Sequence, residues 1–400
     1  MGSHPIGAMN HMPTKEFKTR SIIKERYFPC PDPVWVSAID IGYSGIKGIS
    51  PNKYYCIPAY AKKLREEPVM LKAPSPTDIL YRKGEELWSV GELAYQEADS
   101  SRMPDNESVS FGRLNRYYSP AFQVQAETGI GISLLNNGYS SPDGKKLVIQ
   151  TGLPPQYIED TPVLKEVLSG THSFELKVGD NPWQEIQYTL EEGQIYVMSQ
   201  PLGAFASVCY DSSGKPLPVS WKLYNSNVLV FDPGFGTLDL YLIKKGHVSP
   251  EFLMTLPNQA MKEVFVRTCR DIHEEFGVSL QIAELQNRLE DGTIRVTNRR
   301  QRSRKSVPFE GTLMKNCQDV CMEALDTMFD SYEDLAYIDF VIGTGGTYDA
   351  WKGTVSKELG NLDGIKLLPG NCNDTSLSNV FSNVRGYYFQ RVYQSGRDKA

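Results

Sequence analysis

Several things are scarce in this chain of 400 residues. Apolar runs are short, and none approaches the roughly 20 residues that a membrane-spanning helix needs. No charged-then-apolar signal peptide opens the sequence. Basic residues are in deficit: 42 Lys and Arg stand against 48 Asp and Glu, for a net charge of −6. That balance argues against a general nucleic-acid binder. Histidine is sparse, and His4 and His11 fall in MGSHPIGAMNHM, residues 1–12, which reads as a leader or tag. Those two are therefore not expected as ligands. The seven cysteines are scattered, and Cys317 and Cys321 stand one helical turn apart. That spacing suits neither a zinc knuckle nor a disulfide, so reduced thiols in a cytoplasmic protein are expected. Two common phosphate signatures are missing as well. The sequence has no G-x-x-x-x-G-K-[ST] loop and no G-x-G-x-x-G fingerprint.

What is present begins with NVLVFDPGFGTLDLYLI, residues 227–243. An apolar run of buried-strand character ends on Asp232. Gly234, Gly236 and Thr237 follow, and then a second strand-like run. Glycines let backbone N–H groups approach a phosphate with no Cβ in the way. The carboxylate stands where it can hold the water shell of a magnesium ion. On its own the stretch is also compatible with a plain hairpin.

The same layout occurs near the N-terminus. Val34–Ile41 reads as a strand and leads into DIGYSGIKG, with Asp40, Gly42, Ser44, Gly45 and Lys47 on a returning strand. Two such hairpins point to a duplicated domain with one phosphate loop in each half, and a cleft between halves favours a ligand. Residues 13–33 read as an extended lead-in. Ser119-Pro120 starts a helix, with the serine as its cap. A strand from Lys146 closes in TGLPP, read as a crossing between halves. Gln200 stands where a strand passes into an alanine-rich helix, a place from which a polar group could orient an attacking water. A helix-cap role is an equal reading. The basic stretch NRRQRSRKS, residues 298–306, reads as a solvated loop. Its sharper reading is an electrostatic contact with a neighbour.

A third glycine turn, GTGGTYDAW, follows the buried strand that ends near Ile342. Gly343, Gly345 and Gly346 would let backbone lie flat against a planar or phosphorylated ligand. Asp374 or Thr375 reads as the cap of a terminal helix.

The three turns in this order resemble the actin-like ATPase superfamily. TGLPP, the Met-x-x-Pro junction before the second hairpin and SNVRGYY are similar to the ParM-type plasmid-segregation actins of bacteria. The resemblance implies an α/β fold. Two duplicated ribonuclease-H-like domains would flank a nucleotide cleft, each with a smaller inserted subdomain. Domain I would take residues 13–157 and 376–400, with an insertion at about 51–117. Domain II would take 158–375, with an insertion at about 245–310.

It also implies roles. Asp40 and Asp232 would hold Mg2+ through water. Gly42, Tyr43, Ser44, Gly45 and Lys47 would meet the β- and γ-phosphates of ATP or ADP. Gly234, Phe235, Gly236 and Thr237 would close from the other half, and Gly343, Gly345 and Gly346 would line the adenosine. Gln200 stands at the family's catalytic glutamate, and an amide can orient water but cannot take its proton. Glu159 is a second candidate for activating water. Pro233 departs from the family by removing a backbone donor. The expected function is an ATPase that polymerises with itself and segregates plasmid DNA through a centromere-binding adaptor. Direct sequence-specific DNA binding and membrane contact are not expected. The alternatives are a small-molecule kinase of the same fold and a slowly hydrolysing scaffold.

Overall fold

The computed structural model describes residues 13–69, 71–96, 116–298 and 303–397. Its first half opens with β1 (Ile22–Glu25), β2 (Val34–Ile41), β3 (Gly45–Ser50) and β4 (Lys53–Pro58). A smaller group follows: β5 (Ala61–Leu64), β6 (Ile79–Lys83), β7 (Glu86–Val90) and α1 (Glu92–Gln96). Next come α2 (Pro120–Leu134), β8 (Lys146–Leu153), α3 (Thr161–Leu168), β9 (Gly170–Val178), β10 (Gln184–Leu190) and β11 (Ile195–Ser199). The chain then enters α4 (Gln200–Cys209) and α5 (Pro218–Tyr224).

The second half holds β12 (Asn227–Pro233), β13 (Thr237–Lys244), β14 (His247–Pro257), α6 (Met261–Phe276) and α7 (Ile282–Arg288). It continues through β15 (Thr293–Asn298), β16 (Ser303–Pro308), α8 (Glu310–Ser331) and β17 (Phe340–Gly343). It closes with α9 (Gly346–Leu359), β18 (Lys366–Pro369) and α10 (Ser382–Arg397).

Two sheets repeat one topology. The first runs β1-β4-β3-β2-β8-β11 and the second β14-β13-β12-β17-β18. Each is an antiparallel three-strand meander continued by two parallel strands, and β1 is an extra edge on the first. This is the duplicated α/β arrangement that the resemblance implies. The central strands are apolar on both faces, as strands covered on both sides must be. Val228 and Val230 face a cluster between the two sheets, together with Val36 and Ala38. Leu229 and Phe231 face the outer helices of the second half. Trp35 and Ile39 do the same in the first.

Between the sheets α4 and α10 cross at two glycines. A Cβ on Gly386 would sit 1.8 Å from the Gly203 carbonyl oxygen, and one on Gly203 would sit 2.7 Å from that of Asn383. No other residue type permits that approach.

Several boundaries differ from the sequence expectation. β4 belongs to the central sheet, so residues 53–58 are not part of an insertion. β9 and β10, assigned above to domain II, complete the small sheet β10-β9-β6-β7-β5. β11 pairs with β8, which keeps the chain in the first half up to Ser199. The prolines of TGLPP end β8 but open a 3-10 turn, Pro155–Asp160, and the crossing comes later at α4.

The lead-in contains a 3-10 turn, Thr14–Phe17, as well as β1. Asp374 does not cap the last helix; its carboxylate accepts from Arg26 Nη2 at 2.6 Å. The ends of the basic stretch form the β15–β16 hairpin, and residues 299–302 lie outside the described residues, as do residues 1–12. All seven cysteines are free. No helix among the described residues is long and apolar enough to cross a membrane.

Candidate functional site

The ends of β2 and β12 meet at one cleft. Each strand delivers an aspartate and turns back through a hairpin closed by the same backbone bond. Gly42 N donates to Gly45 O at 3.1 Å, and Gly234 N donates to Thr237 O at 2.8 Å. Asp40, Gly42, Tyr43, Ser44, Gly45 and Lys47 line the cleft from the first half. Asp232, Gly234, Phe235, Gly236 and Thr237 line it from the second.

Asp40 is buried at 3% exposure. Its Oδ2 accepts from Lys47 Nζ at 3.1 Å and its Oδ1 from Gln200 Nε2 at 2.9 Å. Burial works against the Lys47 charge, yet Asp40, Cys56 and Asp232 together hold the ammonium above its ordinary pKa. Asp232 is half-buried and accepts from Asn383 Nδ2 at 3.1 Å. Desolvation pushes its carboxyl up to about 6 against the pull of Asn383 and Lys47. No cation is set opposite it in its own hairpin.

Strand register explains the asymmetry. Asp40 pairs across its hairpin with Lys47, whereas Asp232 pairs across its own with Asp239. Asp239 is 9% exposed, lines the same cleft and accepts from Thr255 Oγ1 at 2.6 Å. Burial raises its carboxyl to about 7, with Asp232 adding to the rise. Like charges opposed on a pleated pair repel. The cleft thus gathers Asp40, Asp232 and Asp239, with Lys47 paired to the first alone. An oxygen-rich, electron-rich set of this kind fits a hard divalent cation that keeps several of its waters. Among the described residues no cluster of three or more ligating side chains stands close enough to bind a metal directly. Asp40 and Asp232 are the carboxylates that would face such an ion.

The third turn enters from α9. Gly345 and Gly346 line the cleft. Gly345 has φ +88°, and a Cβ there would lie 2.8 Å from Asp232 Oδ1, so only glycine fits. Thr347 Oγ1 donates to Gly234 O at 2.7 Å and ties this turn to the second hairpin.

Two candidates are not brought to the site. Gly343 is the last residue of β17 and faces the Tyr348 ring, where a Cβ would be 2.1 Å from a ring carbon. Its lack of a side chain makes room for packing rather than for a ligand. Glu159 is exposed and outside the cleft lining. The 3-10 turn rotates it outward and buries its neighbour Asp160, which accepts from Tyr117 Oη at 3.2 Å.

Other groups at the cleft carry no role in the sequence reading. Asp239 stands seven residues after Asp232, the spacing that separates Asp40 from Lys47, and that shared offset is the signal that could have found it. Arg116 donates to the carbonyls of Ile41 at 2.9 Å and Gly42 at 3.3 Å, and its guanidinium lies 4.2 Å from the Tyr43 ring centroid. Nothing in local sequence marks Arg116, which reaches the turn through tertiary packing alone.

Residues 38–203 match the family described as actin like proteins N terminal domain. No curated protein matches the sequence itself. Among solved structures the chain is similar to a non-polymerisable quadruple mutant of pCBH ParM, with a TM-score of 0.67 and 19% identity over 90% of this chain and 99% of that one. A 15-stranded ParM filament from Clostridium botulinum superposes with a TM-score of 0.66 at 19% identity, over 90% and 99% of the two chains. An archaeal actin homolog solved in complex with ADP gives a TM-score of 0.60 at 14% identity, over 91% and 100%. The fold of this chain is that of the actin-like, ParM-like proteins.

Proposed function

We propose that this actin-fold chain binds and hydrolyses ATP with Mg2+ and assembles with itself into filaments in the bacterial cytoplasm. The observation that carries the reading is the pair of facing hairpins, each presenting an aspartate and glycine-rich backbone to one cleft. Bound Mg2+ would neutralise phosphate charge beside Asp40 and Asp232. Lys47 stands ready for a phosphate oxygen. The backbone around Gly42 and Gly234 offers close approach without side chains.

Gln200 Nε2 is engaged by Asp40, so its Oε1 is the atom that would accept a hydrogen bond from the attacking water. That water forms the new bond to the γ-phosphorus while the bridging oxygen leaves with ADP. An amide cannot take the proton, which passes to the phosphoryl group, and slow turnover follows.

The Gly42–Gly45 and Gly234–Thr237 turns would both hold a γ-phosphate, and with ADP one of them would lack its partner. Only such differential contact can bias an open–closed equilibrium. A closed form that adds head to tail gives a filament, because a heterologous contact that does not close propagates. The cargo in this reading is plasmid DNA, carried through an adaptor bound at its centromere. The engagement of Gln200 also favours a second reading, a scaffold that binds nucleotide and hardly hydrolyses it.

The test is light scattering with Mg-ATP, followed by negative-stain microscopy and a phosphate-release assay. A rise to filaments that later decays, with phosphate released, supports the proposal. Stable filaments without release select the scaffold. Phosphate release with a flat scattering trace defeats the filament reading and points to a kinase of this fold.

A further inference from the structure

The N-terminal segment crosses the cleft. At residues 22–25 it is stitched to the first half, where β1 pairs with β4 from Ile22↔Cys56 to Glu25↔Lys53. A few residues earlier it is anchored in the second half. Thr14 Oγ1 donates to Leu289 O at 2.6 Å, and the 3-10 turn Thr14–Phe17 packs on α9. Phe17, 7% exposed, buries its ring in the apolar cluster of the second half.

Between the two anchors, residues 16–20 line the same cleft as Asp40 and Asp232. Lys18 Nζ lies 3.0 Å from Glu92 Oε1 of the first half and 4.0 Å from Glu290 Oε2 of the second. The Thr19 methyl stands 3.8 Å from where a Cβ on Gly45 would be, beside the first hairpin. The segment therefore runs past the cleft from the α9 side to the phosphate turn. A second tie crosses nearby, where Tyr95 Oη of α1 donates to Gln286 Oε1 of α7 at 2.9 Å.

The two anchors are unequal. The β1 ladder is a run of backbone pairs. The other anchor is one hydroxyl bond, one ring and a short turn. When the halves separate, the weaker anchor gives way first. We infer that residues 14–20 are a strap forming the outer wall of the nucleotide site, and that release of Phe17 from the second half gates nucleotide exchange. The inference rests on the nucleotide reading above.

Its consequence is kinetic. A wall that must detach before a ligand leaves slows its dissociation, and release rate is the direct readout. The test uses the full chain and a fluorescent N-methylanthraniloyl ADP, with release followed by stopped flow after a chase of unlabelled ATP. Phe17→Ala frees the anchor and is expected to release the label about tenfold faster than the unsubstituted chain. Lys18→Ala leaves the core untouched, removes the ion pairs to Glu92 and Glu290, and is expected to speed release about threefold.

Thermal melts of the same samples separate strap loosening from unfolding. Lys18→Ala releasing faster at an unchanged melting temperature supports the strap even if Phe17→Ala melts early. Both variants releasing at the native rate would overturn it. An intact chain that binds no labelled nucleotide would overturn the nucleotide reading and the strap together. Binding with unaltered release in the variants sinks the strap alone.

Discussion

The hairpin after β2 and the hairpin after β12 have the same closing bond and an aspartate at the same position, yet one is charge-balanced and the other is not. Across from Asp40 stands Lys47; across from Asp232 stands Asp239. The first hairpin is internally neutralised and complete. The second is an excess of carboxylate held out of water, and its two acids are pushed up to about 6 and about 7. One half is therefore a finished platform. The other carries an excess of negative charge that a bound cation would offset. The repeated topology supplies the geometry, and a single register position supplies the difference.

The sharpest way to break this comparison is to neutralise each aspartate in turn. Asp40→Asn and Asp232→Asn should each lower Mg-ATP phosphate release about a hundredfold. Their effects on the nucleotide-free fold should have opposite signs. Asp40→Asn leaves the Lys47 ammonium buried beside a neutral partner and should destabilise by about 3 kcal/mol. Asp232→Asn removes a desolvated acid and should stabilise by about 1–2 kcal/mol. Thermal melts without nucleotide read both signs, and a loss in both variants would mean the hairpins are not electrostatically different.

Gly345→Ala comes next. It places a methyl group against Asp232 at a left-handed backbone position, with strain of about 1–3 kcal/mol. Nucleotide affinity, measured by titration calorimetry, should fall about tenfold or more. Gly343→Ala makes a useful contrast, because it crowds the Tyr348 ring and should lower melting temperature rather than act at the cleft.

The pH dependence has a defined sign. Asp232 and Asp239 have folded pKa values raised above the ordinary carboxylate value of 3.8. Their ionisation thus opposes folding fully above about pH 7 and not at all below the unfolded value. The stabilisation gained by Asp232→Asn should be complete at pH 7.5, shrink as pH falls through 6, and vanish near pH 4. Urea unfolding of the nucleotide-free chain at those pH values tests it. A constant difference would refute the raised acid.

The smallest effect is expected from Arg116→Ala, which removes carbonyl contacts to the first hairpin and the cation–π contact to Tyr43. A loss of about 1 kcal/mol corresponds to roughly fivefold weaker ATP binding in the same calorimetry.

Much of the frame was legible in the sequence because it is local. Val34–Ile41 reads as a strand, and Ser119 caps α2 by accepting from Phe122 N at 3.2 Å. Glycine turns announce themselves by composition. The readings that failed depended on what a segment packs against. Residues 170–190 alternate as strands should, but nothing in that alternation says that they join the small sheet through β9 and β6 rather than the second half. Glu159 and Asp160 are adjacent carboxylates, and the phase of one 3-10 turn decides which is buried. Gly343 was grouped with Gly345 by proximity, and only the Tyr348 ring distinguishes them. Asp239 was visible but carried no signal until strand register set it opposite Asp232.

The glycine crossing of α4 and α10 has a mechanical meaning. Where helices meet through side chains, turning one against the other trades rotamers and contacts, so motion is stepped. Here Gly203 and Gly386 have no rotamers to exchange, and backbone touches backbone. Beside that contact the Arg385 guanidinium donates to the carbonyls of Ser207 and Tyr210 and the Tyr387 ring packs on Gly203, so the two helices are held at one angle. One turn of α10 away, Asn383 holds Asp232. This close helix contact and a cleft carboxylate are thus set by the same turn of one helix, so a residue that widened the crossing would also move the Asp232 partner.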